Sequence, residues 1–473
     1  MGLKAFYTDF HNIGKQESLR LDVGYRYFFD IQNAIVYNFK SLIELKNVFK
    51  ALPTKKVLKG DLEDEEYLID IGNIERRFNN LINVEKVNTI GSDKNTLQDG
   101  DIVIPKIQPQ MGNIFLNTEH KRFIASTELL EYSISRNFNH LFIYYLMTSK
   151  KFLSALAKLE SGKTHRRVNP SDLLKIKIPL IPKEKQDQIV AQLEPIEKKI
   201  KELKATLKDP QTIINEVFAR EFGFDLEKYE MFNKQKLYDI DFSNFSKNNL
   251  MRGSVHFHHI KLNFIENKLK NKNIWVSLNS KFELFGGKRM PKGTTFSDEP
   301  TEYYYLRPTE VNIWGIDRDN ILCISEEIYN KLKKYKIKTG EFCISIVGTL
   351  GKTALIDTEV LGIGDDNLIL SENFIKLVPT QDIVKLFYYY FFYSFIFEAQ
   401  IDREYTITSI KKLGIDKWSY IKIPNTPLSE QQRIVDEIKA ELDKQEEIKK
   451  QIEAERNKID EIIEKSIASF TIG

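Results

Sequence analysis

Residues 176–190 read IKIPLIPKEKQDQIV, and residues 421–435 read IKIPNTPLSEQQRIV. At a constant offset of 245 residues the two agree at Ile176 to Pro179 and Ile421 to Pro424. They agree again at Pro182 and Pro427, at Gln186 and Gln431, and at Ile189-Val190 and Ile434-Val435. Self-similarity at so long a separation marks a duplicated module. The chain therefore reads as two half-molecules in tandem, each ending in this motif and the helical pattern behind it.

The helical patterns are regular. After the first copy, Ile189, Leu193, Ile196, Ile200, Leu203 and Leu207 step by 4, 3, 4, 3 and 4, the spacing of an apolar stripe that faces a partner helix. Pro195 falls inside the pattern and predicts a kink or a delayed start, and Pro210 marks a stop after which the helix resumes through Ile213, Val217 and Phe218. After the second copy the pattern runs from Ser429, a candidate N-cap, to Ser466, with Ile438, Leu442, Ile448, Ile452, Ile459 and Ile463 on the stripe. A lone helix of that kind has nothing to bury its stripe against. Antiparallel pairing of the two helices is the economical arrangement, and it would make them a spacer between the globules.

Before each motif the chain alternates short apolar runs with turn residues. Residues 68–72, 101–107, 303–316 and 339–347 read as strands, and residues 139–159 and 387–400 read as corresponding helices. The fold expectation is α+β: two tandem mixed α/β globules, each followed by a long helix, the helices forming an antiparallel coiled coil. The boundaries expected are 1–177 and 229–422 for the globules, with 178–228 and 423–473 for the helical regions.

Composition is that of a globular protein, 42% hydrophobic and 29% charged. Aromatics are plentiful, with 31 Phe and 21 Tyr, and fit either large cores or stacking surfaces. The net charge of +3 means that any nucleic-acid surface must be local. Cys323 and Cys343 read as buried thiols of a reducing compartment. The start of the chain lacks a signal-peptide pattern, and the apolar run at 386–397 is too short to span a bilayer. Cytoplasmic location, with no membrane partner, is the expectation.

The sequence carries none of the catalytic motifs that its triplets and clusters suggest at first sight. Gly162-Lys163-Thr164 and Gly351-Lys352-Thr353 lack the earlier glycine of a phosphate loop, since Ala157 and Ile346 stand there. The cluster His256-Phe257-His258-His259 has no Cys or carboxylate partners at zinc-site spacing. No Asn-Pro-Pro-aromatic tetrapeptide is present to hold a flipped adenine. What remains is positive charge in polar segments. Residues 161–177 carry Lys163, Arg166, Arg167, Lys175 and Lys177 against Asp172 alone. The matching stretch, 401–412, carries Arg403, Tyr405, Thr406, Thr408, Lys411 and Lys412. Such side chains neutralise phosphates and can read base edges.

A variable globule, a Gly-x-Thr loop, Ile-x-Ile-Pro, a further Pro, then Gln and Ile-Val opening a long helix, all occurring twice, resembles the specificity subunit of type I restriction-modification systems. The resemblance implies two target-recognition domains reading a bipartite double-stranded DNA sequence. It places the chemistry on partners: adenine methyltransferase subunits, two in number, using S-adenosylmethionine, and a motor-nuclease subunit using ATP and Mg. It implies no cofactor and no metal in this chain, which would be non-catalytic. Carried over onto matching positions, it implies DNA contact at Lys163, Thr164, Arg166, Arg167, Arg403, Tyr405 and Thr406, with Lys106, Gln108 and Lys352 as weaker candidates. Asp402-Arg403-Glu404 stands where the first copy has Gly162-Lys163-Thr164, a departure at that loop. The alternative from another class is a coiled-coil scaffold that assembles proteins without reading DNA. Steeply salt-dependent duplex binding separates the two.

Overall fold

In a computed structural model, the protein is described at residues 22–52, 56–59, 62, 65–162, 166–239, 255–312, 314–407 and 410–469. It divides into two units. One takes the residues up to Thr206 together with those from Ile448 onward, and the other takes Leu207–Glu447.

The repeated motif has the same role in each unit. In the first, Lys177–Pro179 pairs antiparallel with Leu42–Glu44, setting Ile178 opposite Ile43. In the second, Lys422–Pro424 pairs antiparallel with Trp275–Ser277, setting Ile423 opposite Val276. The alternate residues Ile176, Ile178, Ile421 and Ile423 are fully buried, as a period of two requires when one face meets a core.

Each unit also holds a four-stranded antiparallel sheet of the same order. The first runs Phe49–Ala51, Leu129–Ile134, Asp101–Pro105, Phe115–Leu116. The second runs Phe282–Gly286, Phe374–Pro379, Phe342–Ser345, Thr353–Leu355. Beside it, each has a parallel strand pair: Glu66–Ile69 with Phe123–Ala125, and Tyr304–Leu306 with Leu368–Leu370. The run at 303–316 is not one strand. The Glu310 carboxylate accepts from the Arg307 backbone N–H at 2.7 Å and turns the chain, and a small hairpin follows at Val311–Asn312 and Gly315–Ile316.

The helices expected at 139–159 and 387–400 are each broken by a serine, and the two serines stand 245 residues apart. Ser149 separates His140–Thr148 from Lys150–Leu159, and Ser394 separates Lys385–Phe391 from Phe395–Glu404. Each hydroxyl donates to the turn before it, to Leu146 O or Phe391 O, at 2.7 Å. Each also accepts from the turn after it, from the Phe152 or Phe397 N–H. A hydroxyl that can bond the backbone competes with the helix and caps a new one. The aromatic run is core: Phe387, Tyr388, Phe391, Phe392, Phe395 and Phe397 are buried in one cluster with Trp418. Cys343 is buried and Cys323 only partly so.

The first long helix spans Lys183–Ala205, so Pro195 does not delay its start. Pro195 is exposed, where water can satisfy the carbonyl its missing N–H leaves open. The break and restart expected around Pro210 are present, with Pro210 opening the second helix. The first helix ends at Ala205 with Thr206 as its C-cap, and Pro210–Glu221 starts with Asp209 as N-cap, which puts Pro210 at the helix position that suits proline. The C-terminal helix spans Leu428–Ser469, so Ser429 lies in its first turn rather than at the cap.

Gln186 and Gln431 explain why the motif keeps a glutamine. Both are buried. The Gln186 side chain accepts from Asn139 N–H at 2.8 Å and donates to Ile181 O at 2.7 Å. Gln431 accepts from Val384 N–H at 2.9 Å and donates to Thr426 O at 2.6 Å. Every partner is shifted by the same 245 residues. Each amide ties the start of a long helix to the start of the globule's own helix.

Contacts along the helices are also present within each unit. In the second unit Lys208 N–H donates to Gln445 at 2.8 Å, Arg220 pairs with Glu437 at 2.6 Å, and Arg433 pairs with Glu221. Rising numbers on one side meet falling numbers on the other, so the segments run antiparallel. In the first unit Lys199 pairs with Glu455.

The duplication extends to a pair of locks at the serine breaks. Arg456 is fully buried and donates from Nη2 to Thr148 O at 3.1 Å and Thr148 Oγ1 at 2.9 Å, and from Nε to Arg77 O at 2.9 Å. Asp460, one turn on, pairs with Arg77 at 2.5 Å. The residues 245 positions earlier are Gln211 and Asn215. Gln211 donates to Tyr393 O, the counterpart of Thr148 O, and Asn215 accepts from Phe395 N–H at 2.9 Å. One lock is charged and the other is made of neutral amides.

Candidate nucleic-acid interface

The basic segments singled out in the sequence become small hairpins, and each docks on the backbone that leaves a central strand. In the first unit the hairpin is Glu160–Ser161 with Arg167–Val168. It meets the end of Asp101–Pro105 through a bridge between Ile107 and Arg167, and Val168 N–H donates to Lys106 O at 2.9 Å. In the second unit the hairpin is Thr406–Ile407 with Lys411–Lys412. It meets the end of Phe342–Ser345 through a bridge between Val347 and Lys412, and Gly348 N–H donates to Lys411 O at 3.0 Å. Strand end and hairpin are thus assembled alike in both globules.

In the first unit the arrangement brings Lys106, Gln108, Arg166 and Arg167 together. Arg166, Arg167 and Gln108 are exposed. The Arg167 guanidinium is held by Glu128, Nη2 at 2.9 Å and Nε at 3.2 Å, while Lys106 reaches Thr127 O. Gln108 has φ 46°, a left-handed position ahead of the turn Pro109–Met111. Glu160, at the base of the hairpin, titrates above the usual carboxylate range because it is partly buried, opposed by a bond to Gln110 and by the Arg166 charge. On the strand beside Asp101–Pro105, burial lifts Glu131 to about 7, with Asn95 and Lys106 opposing and Asp101 reinforcing. Lys163 and Thr164 lie outside the described residues.

In the second unit the expected residues divide. Thr406 is exposed, and its hydroxyl donates to Lys412 O at 3.2 Å. Lys411 and Lys412 are exposed, with Lys411 Nζ 4.9 Å from the Tyr405 ring centre. Lys352 closes the loop after the central strand: its N–H donates to Ser345 Oγ at 2.9 Å and its Nζ to Pro308 O at 3.0 Å. Arg403 and Tyr405 face inward instead. Arg403 lies in the helix Phe395–Glu404, pairs with Glu266, and sits 4.6 Å from the Phe257 ring. Tyr405 is buried. The helix carries Arg403 toward Ile260–Leu269, where Lys261 pairs with Asp402 at 3.0 Å. Sequence order alone could not show that direction.

A third basic element of this unit emerges only in the structure. The loop after Phe282–Gly286 carries Lys288, Arg289 and Lys292, all exposed. It shares a floor with the hairpin. Gly287 N–H donates to Phe374 O at 3.1 Å and Lys288 N–H to Leu370 O at 3.0 Å, while Ile346 N–H donates to Asn373 O at 2.8 Å and Leu413 N–H to Ile346 O at 3.0 Å. The available signal was a Gly286-Gly287 pair opening a stretch from 284 to 297 without a single acid. Among the described residues no group of His, Cys, Asp and Glu could hold a metal ion, and no helix is long and apolar enough to cross a membrane.

The family profile described as the type I restriction modification DNA specificity domain matches residues 40–209 and again residues 274–457. The chain is similar to the putative type I restriction enzyme specificity subunit S.HindORF215P of Haemophilus influenzae, 26% identical over 316 residues, covering 66% of this chain and 67% of that one. Among solved structures it is similar to a chain from work on complex assembly and conformational transition of the type I R-M system, at 16% identity and a TM-score of 0.47, with 92% and 99% of the two chains covered. It is also similar to the HsdS subunit of Thermoanaerobacter tengcongensis, at 16% identity and a TM-score of 0.37, with 92% and 98% covered. With the profile matched twice and over most of its length, the chain belongs to the type I restriction-modification DNA specificity family, whose members are the non-catalytic, DNA-sequence-recognising component of the system, working with DNA and with modification and restriction partners.

Proposed function

We propose that each globule reads one half of a split duplex target and that the paired helices set the gap between the halves. The observation that carries this reading is the matched docking of a basic hairpin on a strand end, Ile107 with Arg167 in one unit and Val347 with Lys412 in the other. Two equivalent surfaces in one chain suit two half-sites. The division of labour follows the motif: 1–177 and 229–422 as the reading domains, 178–228 and 423–473 as the helical regions.

Arg166, Arg167, Lys106 and Gln108 form the first contact surface; Lys163 and Thr164, outside the described residues, join it on the strength of their place in the sequence just before Arg166. Thr406 and Lys352 belong to the second, together with Lys411 and Lys412. Arg403 and Tyr405 act one step back, holding the base of their hairpin. Two methyltransferase subunits would seat along the helices, bring S-adenosylmethionine and methylate adenine, and a motor-nuclease using ATP and Mg would cleave. The cytoplasm is where such an assembly meets DNA.

The test is an adenine-methylation map of cells with and without this chain, and with residues 1–175 exchanged for the first globule of a relative. Loss of methylation at one split, asymmetric motif, and an exchange that alters one half of it only, are the expected results. An exchanged chain that still marks the original motif overturns the division of labour. Salt-insensitive association with proteins alone would favour a scaffold instead.

A further inference from the structure

The loop after Phe282–Gly286 contains an arginine held in an unusual way for a surface side chain. Arg289 is 79% exposed, yet its Nε donates to Glu372 Oε1 at 2.7 Å. Glu372 is itself placed: its other oxygen lies 3.2 Å from the Tyr305 hydroxyl, whose single proton is shared between that oxygen and Lys288 O at 2.7 Å. Tyr305 is buried, packed with Ile324, Ile328, Leu332 and Ile369. The loop runs close against the backbone just before Glu372, where a Cβ on Gly287 would stand 2.0 Å from Ser371 O. A buried tyrosine thus orients a carboxylate, and the carboxylate orients a guanidinium.

The Nε edge is occupied by Glu372, and neither Nη has a partner among the described residues. The two Nη groups form the edge that matches the O6 and N7 acceptors of guanine in the major groove. A free surface arginine would lose rotamer entropy on making that contact; this one is already oriented. Its neighbours Lys288 and Lys292 carry charge without such support, which suits phosphates. The start of the loop also lies against the stretch that follows the basic hairpin, where a Cβ on Gly286 would stand 3.1 Å from Ile415 Cδ1.

We propose that Arg289, aimed by Glu372 and Tyr305, is a specificity-determining residue that reads a guanine in the half-site of the second globule. The proposal rests on the reading of one half-site per globule, and its test must fail separately from that reading.

The chain is co-expressed with its methyltransferase partner in cells free of other adenine methylation, and the methylated motif is mapped. Wild type, Arg289→Gln, Arg289→Lys and Lys292→Gln are compared with the 1–175 exchange. Arg289→Gln should relax one G·C position, in the half-site that the 1–175 exchange leaves unchanged, with discrimination falling about tenfold or more. Arg289→Lys keeps the charge but loses the fork, and should relax the same position. Lys292→Gln should leave the motif intact. An unchanged motif in both Arg289 variants, or relaxation in the other half-site, overturns the proposal while leaving the half-site reading standing. Should methylation vanish in an Arg289 variant, the purified complex is tested on duplexes carrying each base at each position of the wild-type motif. Loss of discrimination at one position supports the proposal; a uniform loss of affinity refutes it.

Discussion

Replacing Arg456 with alanine removes a guanidinium that four groups of the first unit share: Thr148 O and Oγ1, Arg77 O, and, 3.6 Å away, Asp460. Breaking a buried ion pair by removing one partner costs roughly 3–5 kcal/mol. The lower end applies here, because the partners are not left alone. Asp460 keeps Arg77 at 2.5 Å, and the Thr148 hydroxyl keeps Tyr144 O at 3.0 Å. A loss of about 3 kcal/mol is a factor of roughly 100 in the opening equilibrium of the helix end. The assay is native-state hydrogen exchange on the full chain, following amides at 452–469. Their protection should fall by about two decades while amides at 430–440 hold. Gln211→Ala, at the matching position, removes neutral bonds and should cost only about 1 kcal/mol, around fivefold, at 210–221. If the two variants produced equal losses, or if 452–469 exchanged as in the wild type, the view of Arg456 as a charged lock would be wrong.

Gln186→Ala orphans Asn139 N–H and Ile181 O in a buried site and should lower stability by about 2 kcal/mol; Gln431→Ala should do the same through Val384 and Thr426, and a thermal melt of each that matches wild type refutes the tie. Glu131→Gln should stabilise the first unit above pH 7 and have little effect near pH 4: the folded carboxyl, raised to about 7, binds its proton when the unfolded one does not, so wild-type stability falls as pH rises between those values. Melting temperatures of both forms from pH 4 to 8 test this, and a difference that does not grow with pH counts against it. With a thiol reagent, Cys323 should label in the native protein and Cys343 should not, since burial pushes the Cys343 thiol up to about 12; equal labelling would contradict the packing.

Much of this molecule was legible because duplication is a property of sequence. The offset of 245 located both Ile-Lys-Ile-Pro strands, both buried glutamines and both helices, and the central strands at 101–107 and 339–347 were found by alternation. The boundaries that failed did so for local reasons. Pro195 in the sequence suggests a late helix start, but an exposed proline within an amphipathic helix loses one bond that water replaces. The break and restart around Pro210 were legible; what the structure adds is that Pro210 itself opens the second helix behind Asp209. Ser149 and Ser394 were invisible inside apolar runs, because a serine becomes a break only when its hydroxyl finds the turns on both sides.

The basic residues show the limit more sharply. Arg167 and Arg403 look alike in the sequence, each a cation in the polar segment that closes its globule. Arg167 sits on a hairpin strand and stays at the surface, whereas Arg403 sits on the last turn of a helix and is drawn inward to Glu266. Arg289 had no counterpart and was passed over, because its orientation comes from Glu372 and Tyr305, which stand 83 and 16 residues away. Sequence by itself determined the plan, two copies of a module with its helix, since periodicity and repetition are written along the chain. Only the tertiary structure decided which charges face outward, because the partner that holds or frees a guanidinium is set by distance in space, and residues far apart in the chain supply it.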